Sequence, residues 1–124
     1  MKTASARVLV VEDDPDLAAL EAELLEEQGH QVEVASNGRE ALAAVQRARP
    51  DLILLDMKMP VMNGREFAEA YRLAEPSPAP IVVVTAADDA ARRAAEVRAS
   101  EWIAKPFDPD ALVEKVMRLL PPRR

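Results

Sequence analysis

The chain of 124 residues has no cysteine, one histidine, three glycines and four aromatic residues. Without cysteine there is no disulfide, thiolate zinc site, iron–sulfur cluster or thiol nucleophile. No apolar run approaches the roughly 18 residues that a membrane-spanning helix needs, and the polar first seven residues lack the apolar part of a secretory signal. These absences favour a cytoplasmic protein without membrane insertion.

Basic residues are also in deficit, with 16 against 22 acidic residues and a net charge of −6. Nucleic acids and anionic membranes are bound by clustered lysine and arginine, so neither is expected as a direct partner. The acidity is local, because residues 12–27 contain many acidic residues and no basic one. The remainder of the chain is slightly basic.

Short apolar runs alternate with segments of helical periodicity along the whole chain. The predicted strands are 8–11, 31–35, 52–55, 81–85 and 102–104, and the predicted helices follow them, beginning near 15, 38, 64, 89 and 109. Unbroken β-branched runs are typical of strands buried on both faces of a parallel sheet. Five alternating strand–helix units predict a doubly wound α/β fold. We expect one domain over 1–124, with a core of about 7–120, a short polar N-terminus and a Pro-Pro-Arg-Arg tail.

The first predicted helix carries both apolar and acidic residues at helical spacing. The apolar residues that we expect to face the core are Leu17, Leu20 and Leu24. The acidic residues that we expect to form a mostly solvated face are Glu21, Glu23, Glu26 and Glu27. His30 follows the glycine that ends this helix and is expected to be an exposed loop residue.

Polar side chains stand where several predicted strands end, which is where doubly wound sheets bind ligands. Glu12 and Asp13 follow the first strand, Asp56 follows the third, Thr85 ends the fourth, and Lys105 follows the fifth. Crowded carboxylates repel one another and need a cation. An all-oxygen, partly hydrated site suits Mg²⁺.

Asp56 is placed to act as a nucleophile in this predicted site. A carboxylate can form an acyl phosphate, and a metal ion, the Lys105 ammonium and the Thr85 hydroxyl would neutralise the phosphoryl oxygens. The same residues have simpler interpretations, since acidic residues suit the first turn of a helix and an aspartate often serves a turn. That interpretation is kept for Asp14 as an N-cap, while the complete set favours the site.

These motifs, in this order, resemble those of bacterial two-component response regulator receiver domains, of the chemotaxis-regulator-like single-domain type. The resemblance covers nearly the whole chain. The motifs that carry it are Glu12-Asp13-Asp14, the stretch from Asp56 to Gly64, Thr85-Ala86 and Lys105-Pro106-Phe107. It implies a flavodoxin-like fold with five parallel strands in the order 2-1-3-4-5.

The resemblance also implies roles for the acidic residues. Asp56 would accept a phosphoryl group from a sensor histidine kinase or a phosphotransfer protein. The ligands of Mg²⁺ would be Glu12, Asp13, Asp56 and the backbone carbonyl of Lys58. Only self-phosphorylation and autodephosphorylation are expected, with no separate metabolic substrate.

The remaining implied roles concern the switch. Lys105 would pair with the phosphoryl group, Thr85 would move toward it, and Trp102 would change rotamer as the second half of the switch. The bond before Pro106 is expected to be cis. The surface of the fourth helix, fifth strand and fifth helix would then change and control a downstream protein, in a monomer or weak homodimer.

The chain departs from the family pattern before the fifth strand. Arg98 replaces a usual glycine, and the interval from Thr85 to Lys105 is short, so we expect an abbreviated fourth helix. Trp102 is bulkier than the usual tyrosine or phenylalanine. Whether the chain is a stand-alone receiver or part of a longer regulator stays open.

Three other functions fit parts of the sequence. A non-phosphorylated interaction module is favoured by the short helix and disfavoured by the complete site. A phosphohydrolase would need an acid two residues after Asp56, where Lys58 stands. A flavin mononucleotide carrier would need a phosphate-binding loop where Glu12 and Asp13 would repel the phosphate.

Overall fold

A computed structural model of the chain describes residues 5–120, in which five strands alternate with five helices. The elements are β1 (Arg7–Val11), α1 (Pro15–Glu26), β2 (Gln31–Ala35), α2 (Gly38–Arg47), β3 (Leu52–Leu55), α3 (Gly64–Ala74), β4 (Ile81–Ala86), α4 (Ala90–Glu96), β5 (Glu101–Lys105) and α5 (Pro109–Leu119). No helix within the described range is long and apolar enough to cross a bilayer. The predicted Pro-Pro-Arg-Arg tail and the first four residues lie outside the described residues.

The strands form one parallel sheet in the order β2-β1-β3-β4-β5. Successive side chains of a strand point to opposite faces, so each central strand contributes to two apolar layers. One layer joins the sheet to α2, α3 and α4 and contains Phe67, and the other joins it to α1 and α5 and contains Leu112. This confirms the predicted fold class and strand order, and it brings the carboxyl ends of all five strands to one edge.

The starts of α1 and α3, next to that edge, are held by side-chain caps. Asp14 accepts hydrogen bonds from the backbone N–H groups of Asp16 and Leu17, at 3.0 and 3.3 Å, and Pro15 occupies the first helical position of α1. Asn63 and Glu66 form a reciprocal capping box at α3, with hydrogen bonds of 3.0 and 2.9 Å. Each cap satisfies backbone donors that have no partner within the helix.

The prediction for the buried face of α1 is wrong by about one residue. The buried positions are Ala18, Glu21 and Leu25, whereas Leu20 is 40% exposed. Residues 18, 21 and 25 have the three-and-four spacing of a single helical stripe, and Ala18 and Leu25 of that stripe pack in the layer shared with α5. Glu21 therefore lies in the interior, only 1% exposed, and does not belong to the solvated acidic face.

The prediction that His30 is exposed is also wrong, since only 6% of its surface is accessible. Its Nδ1 accepts a hydrogen bond of 3.1 Å from the backbone N–H of Ala6, so the ring proton is on Nε2, which lies 3.2 Å from Sδ of Met117. Burial lowers the pKa of the ring. A neutral His30, in the turn after α1, thus contacts both the residue before β1 and Met117 of α5.

The fourth helix has seven residues and is the shortest of the five helices described, as the sequence predicts. Arg98, at the position of the missing glycine, adopts a left-handed backbone with φ of 50°. The Arg72 guanidinium on α3 donates hydrogen bonds to the carbonyls of Val97 and Arg98. These bonds satisfy carbonyl groups at the end of α4 and tie that end to α3.

Candidate functional site

Three carboxylates converge at the carboxyl edge of the sheet. One oxygen from each of Glu12, Asp13 and Asp56 lies within 4.8 Å of the others. Val11 and Leu55 are register partners in β1 and β3, so the residues that follow them emerge side by side. The backbone N–H of Asp56 continues this ladder by donating to the carbonyl of Val11 at 3.0 Å. The sequence prediction places these three residues correctly at neighbouring strand ends.

The three carboxylates differ in burial. Glu12 is 2% exposed and Asp56 is 5% exposed, whereas Asp13 is open to solvent. Burial raises the pKa of Glu12 to about 7, although its contacts with Lys105 act in the opposite direction. Two carboxylates therefore form the floor of the site, and the third lies at its opening.

Lys105 reaches these carboxylates from the end of β5, across the end of β4. Its Nζ lies 2.9 Å from Oε1 of Glu12 and 3.4 Å from Oδ2 of Asp56. Burial by itself would lower the pKa of Lys105, but its hydrogen bond and charge interactions with the two carboxylates outweigh burial and raise the pKa. The side chain is thus held as an ammonium ion beside Asp56.

Backbone donors fix the other carboxylate oxygens. The N–H of Asp14 donates to Oε2 of Glu12 at 3.1 Å, and the N–H of Lys58 donates to Oδ1 of Asp56 at 3.3 Å. Oε1 of Glu12 is buried, and its partner among residues 5–120 is the Lys105 ammonium, 2.9 Å away. Three carboxylates and one ammonium leave excess negative charge around oxygen donors, which fits a hard cation such as Mg²⁺.

Thr85 and Trp102 lie on the two strands next to this cluster. Thr85 is 1% exposed near the end of β4, and its register partner in β5 is Ala104. Trp102 pairs with Val83, further from the strand ends, and is 39% exposed. The Lys105–Pro106 peptide bond is cis. The structure therefore brings Lys105 into the carboxylate cluster and leaves Trp102 outside it.

The loop between β3 and α3 forms one wall of the site and depends on Gly64. A β-carbon at Gly64 would lie 2.6 Å from the carbonyl oxygen of Asp56 and 2.8 Å from Cα of Met57, closer than real side chains approach backbone. The N–H of Gly64 also donates to the carbonyl of Met57 at 3.2 Å. A side chain here can be accommodated only if the backbone that carries Asp56 moves.

We expect Gly64→Ala to lower the free energy of unfolding by about 2–3 kcal/mol, because overpacking against backbone cannot be relieved by a rotamer change. The affinity of the site for Mg²⁺ should fall as well, since Asp56 is displaced. Urea unfolding and Mg²⁺ titration measure the two effects. Arg65→Ala, on the same helix, removes only an exposed ion pair with Glu69 and should change stability by less than about 0.5 kcal/mol. Equal stability of the two variants would contradict this account of Gly64.

Glu21 is a buried neighbour of the site that the sequence pattern assigns instead to the solvated face of α1. Burial, followed by the charge of Glu12, raises the pKa of Glu21 to about 8, and its charge interactions extend to Lys105 and Asp56. Its Oε2 is buried without a hydrogen-bond partner among the described residues. The signal in the sequence was the helical stripe 18-21-25, which contains a single acidic residue.

The cluster has the groups that phosphoryl transfer requires. Asp56 offers a carboxylate nucleophile, the acidic residues offer oxygen ligands for a metal ion, and Lys105 offers a fixed positive charge 3.4 Å from the nucleophile. Such transfers depend mostly on positioning and on neutralising the phosphoryl oxygens.

Comparison with known proteins gives consistent matches along the chain. The sequence profile of the response regulator receiver domain matches residues 8–117. The chain is 40% identical over 118 residues to the DNA-binding response regulator MtrA of Mycolicibacterium smegmatis, covering 94% of this chain and 51% of that protein. It thus spans about half the length of the MtrA relatives that it matches.

Two further relatives match over nearly their whole length. Sporulation initiation phosphotransferase F of Bacillus subtilis is 34% identical over 116 residues, which cover 93% of this chain and 94% of that protein. The structure of the chemotaxis response regulator CheY4 of Vibrio cholerae superposes with a TM-score of 0.85 at 37% identity, covering 94% of this chain and all of that one.

Proposed function

Because the chain belongs to the response regulator receiver domain family, whose members are phosphorylation-activated switches of two-component signalling, we propose that Asp56 is the residue that accepts the phosphoryl group. The observation that carries this proposal is the position of its carboxylate. Asp56 lies at the end of the central strand β3, within 4.8 Å of two other carboxylates and 3.4 Å from Nζ of Lys105. The peptide N–H of Lys58 orients the carboxylate through Oδ1, so that Oδ2 faces Lys105.

The phosphoryl donor would be a phosphohistidine. An oxygen of Asp56 forms a bond to phosphorus as the phosphorus–nitrogen bond breaks, and the histidine nitrogen leaves with the electron pair of that bond. Glu12, Asp13, Asp56 and the carbonyl of Lys58 would hold Mg²⁺, which supplies charge neutralisation at the phosphoryl oxygens when it is bound. Hydrolysis of the acyl phosphate returns Asp56 to its free carboxylate.

Lys105 and Thr85 connect this chemistry to a conformational change. Lys105 would exchange part of its pairing with Glu12 for the phosphoryl group, and the Thr85 hydroxyl would donate to a phosphoryl oxygen. Thr85 pairs with Ala104, which lies two residues after Trp102 on β5. Since side chains two residues apart on a strand share a face, Thr85 and Trp102 point to the same face of the sheet. Movement of Thr85 would therefore free space into which Trp102 turns.

The proposed partners follow from this cycle. A sensor histidine kinase or a histidine phosphotransfer protein supplies the phosphoryl group, in the cytoplasm, and a downstream protein reads the surface of α4, β5 and α5. We propose a monomer or weak homodimer with no direct contact to nucleic acid. The excess of acidic residues supports that last point.

The experiment that tests the proposal is intact-mass measurement after incubation with a small phosphodonor such as acetyl phosphate. With Mg²⁺ we expect the mass of one added phosphoryl group, and with EDTA we expect none. Hydroxylamine, which cleaves acyl phosphates, should remove the added mass. Failure to incorporate phosphate from either a small donor or a competent kinase would overturn the proposal and favour a receiver-like interaction module, for which the short α4 is the supporting observation.

A further inference from the structure

Trp102 is held at the open edge of β5 by two charged neighbours. Its backbone N–H donates to Oε1 of Glu101 at 2.9 Å, and its carbonyl accepts a hydrogen bond of 2.9 Å from Nζ of Lys115. The same ammonium lies 5.2 Å from the centre of the indole ring and 3.7 Å from Oε1 of Glu101. We call Glu101, Trp102 and Lys115 the edge cluster.

Lys115 contacts Trp102 from the opposite side of the sheet. The side chain of Trp102 is on the face of Val83, which belongs to the layer beneath α4, whereas α5 packs in the layer that contains Ile103. The lysine side chain therefore passes around the free edge of β5 to reach the indole. Trp102 is 39% exposed, and its polar contacts among the described residues are with Glu101 and Lys115.

We propose that Lys115 is a positioning residue that holds Trp102 in its outward position and so opposes the switch to the phosphorylated state. This inference rests on the proposed function, in which Trp102 turns inward when Thr85 moves toward the phosphoryl group. The cation–π contact of Lys115 with the Trp102 ring exists only while the ring is outside, whereas its hydrogen bond to the backbone carbonyl of Trp102 holds the ammonium at the strand edge. A contact made only in the state with the ring outside stabilises that state. By linkage, it lowers the affinity for a ligand that binds better to the state with the ring inside.

The first test uses the single tryptophan of the chain as its own reporter. Lys115→Met keeps an apolar side chain of similar length but removes the charge and the donor. Without any phosphodonor, we expect its tryptophan emission to shift to shorter wavelength and its quenching by acrylamide to decrease, because more of the population has the ring inside. Arg118→Met is the matched control, since Arg118 lies on the same helix and pairs with Glu114 at the surface.

The second test measures the affinity for beryllofluoride, a phosphoryl mimic, in the presence of Mg²⁺. The cation–π contact at an exposed site corresponds to a change of about 2- to 5-fold, so Lys115→Met should bind beryllofluoride that much more tightly than the wild type. Glu101→Gln keeps an acceptor for the Trp102 N–H but loses the ion pair, and it should show a smaller change in the same direction. Lys115→Arg, which retains the charge and donors, should restore wild-type behaviour.

The results separate this inference from the proposed function. If the wild type accepts a phosphoryl group but Lys115→Met matches it in both emission and beryllofluoride affinity, the role of Lys115 is refuted and the function stands. If the wild type accepts no phosphoryl group, the proposed function fails and the switch role of Lys115 fails with it, even where the emission still shows that Lys115 holds the ring. If beryllofluoride binds and the wild-type emission does not change, Trp102 is not the moving aromatic and the inference is overturned.

Discussion

Asp56→Asn is expected to abolish covalent phosphorylation while leaving the fold intact. The amide that replaces the carboxylate is not a nucleophile, but its oxygen can still accept the hydrogen bond from Lys58 N–H. The substitution also removes one negative charge from a group of three, and Lys105 keeps its partner at Glu12. We therefore expect the free energy of unfolding to change by no more than about 1 kcal/mol.

Intact-mass measurement with Mg²⁺ and acetyl phosphate tests this loss directly. The matched control is Asp110→Asn, which changes an exposed aspartate in the first turn of α5 and should be phosphorylated as fully as the wild type. A phosphoryl group on Asp56→Asn would show that another residue accepts it. Weaker Mg²⁺ binding by the variant is expected, because one of the three carboxylate ligands is lost.

Glu21→Leu is expected to stabilise the protein by about 2–4 kcal/mol at pH 7. The pKa of Glu21 is raised from 4.5 to about 8 in the folded state, so this carboxyl remains protonated in the interior while it ionises in the unfolded chain. Each unit of pKa difference corresponds to about 1.4 kcal/mol. A leucine at position 21 removes the cost of keeping the carboxyl protonated, and it also removes the buried Oε2 that has no hydrogen-bond partner among the described residues. Its side chain is apolar like that of Leu25, which is buried on the same stripe of α1.

The effect has a definite pH dependence. The pKa of Glu21 is higher in the folded state, so the folded protein holds this proton more tightly than the unfolded chain does. The stabilisation from this proton is complete below the unfolded pKa of 4.5 and is lost as the pH rises toward the folded pKa of about 8. The stability gap between Glu21→Leu and the wild type should therefore widen by up to about 1.4 kcal/mol per pH unit across this window and become constant above it.

Urea unfolding at several pH values measures the gap. Glu21→Gln removes the titration but keeps a buried polar group, so its gap should be smaller than that of leucine at every pH. Glu23→Leu, at an exposed position of the same helix, should show little stabilisation and no pH-dependent gap. A constant gap for Glu21→Leu between pH 5 and pH 8 would mean that the carboxyl is ionised in the folded state.

The fold could be predicted from the sequence because its signals are local. The run 52–55 is apolar throughout, and β3 has those bounds, while Asp14-Pro15 and Asn63 mark helix starts that the structure shows as caps. The positions of Glu12, Asp13, Asp56 and Lys105 followed from strand ends alone, since parallel strands deliver their carboxyl ends to one edge.

The errors concern residues whose surroundings come from distant parts of the chain. His30 is buried because α5 supplies Met117, 87 residues later, whose Sδ lies 3.2 Å from Nε2 of the ring. Glu21 is buried because the phase of α1 against the sheet decides which stripe faces inward, and a local pattern of three leucines does not determine that phase to within one residue. The contacts of Trp102 depend on Lys115, thirteen residues later on α5, and no local motif indicates them.

The edge cluster also affects how the sheet can associate. β5 is one of the two outer strands, and such strands present unpaired N–H and carbonyl groups that can add a strand from another molecule. At Trp102 both groups are already bonded to charged side chains, Glu101 and Lys115. An incoming strand would have to displace both side chains from the backbone groups of Trp102. The sheet is thereby protected from intermolecular extension at its most exposed aromatic residue, and Lys115→Met should be examined for aggregation as well as for switching.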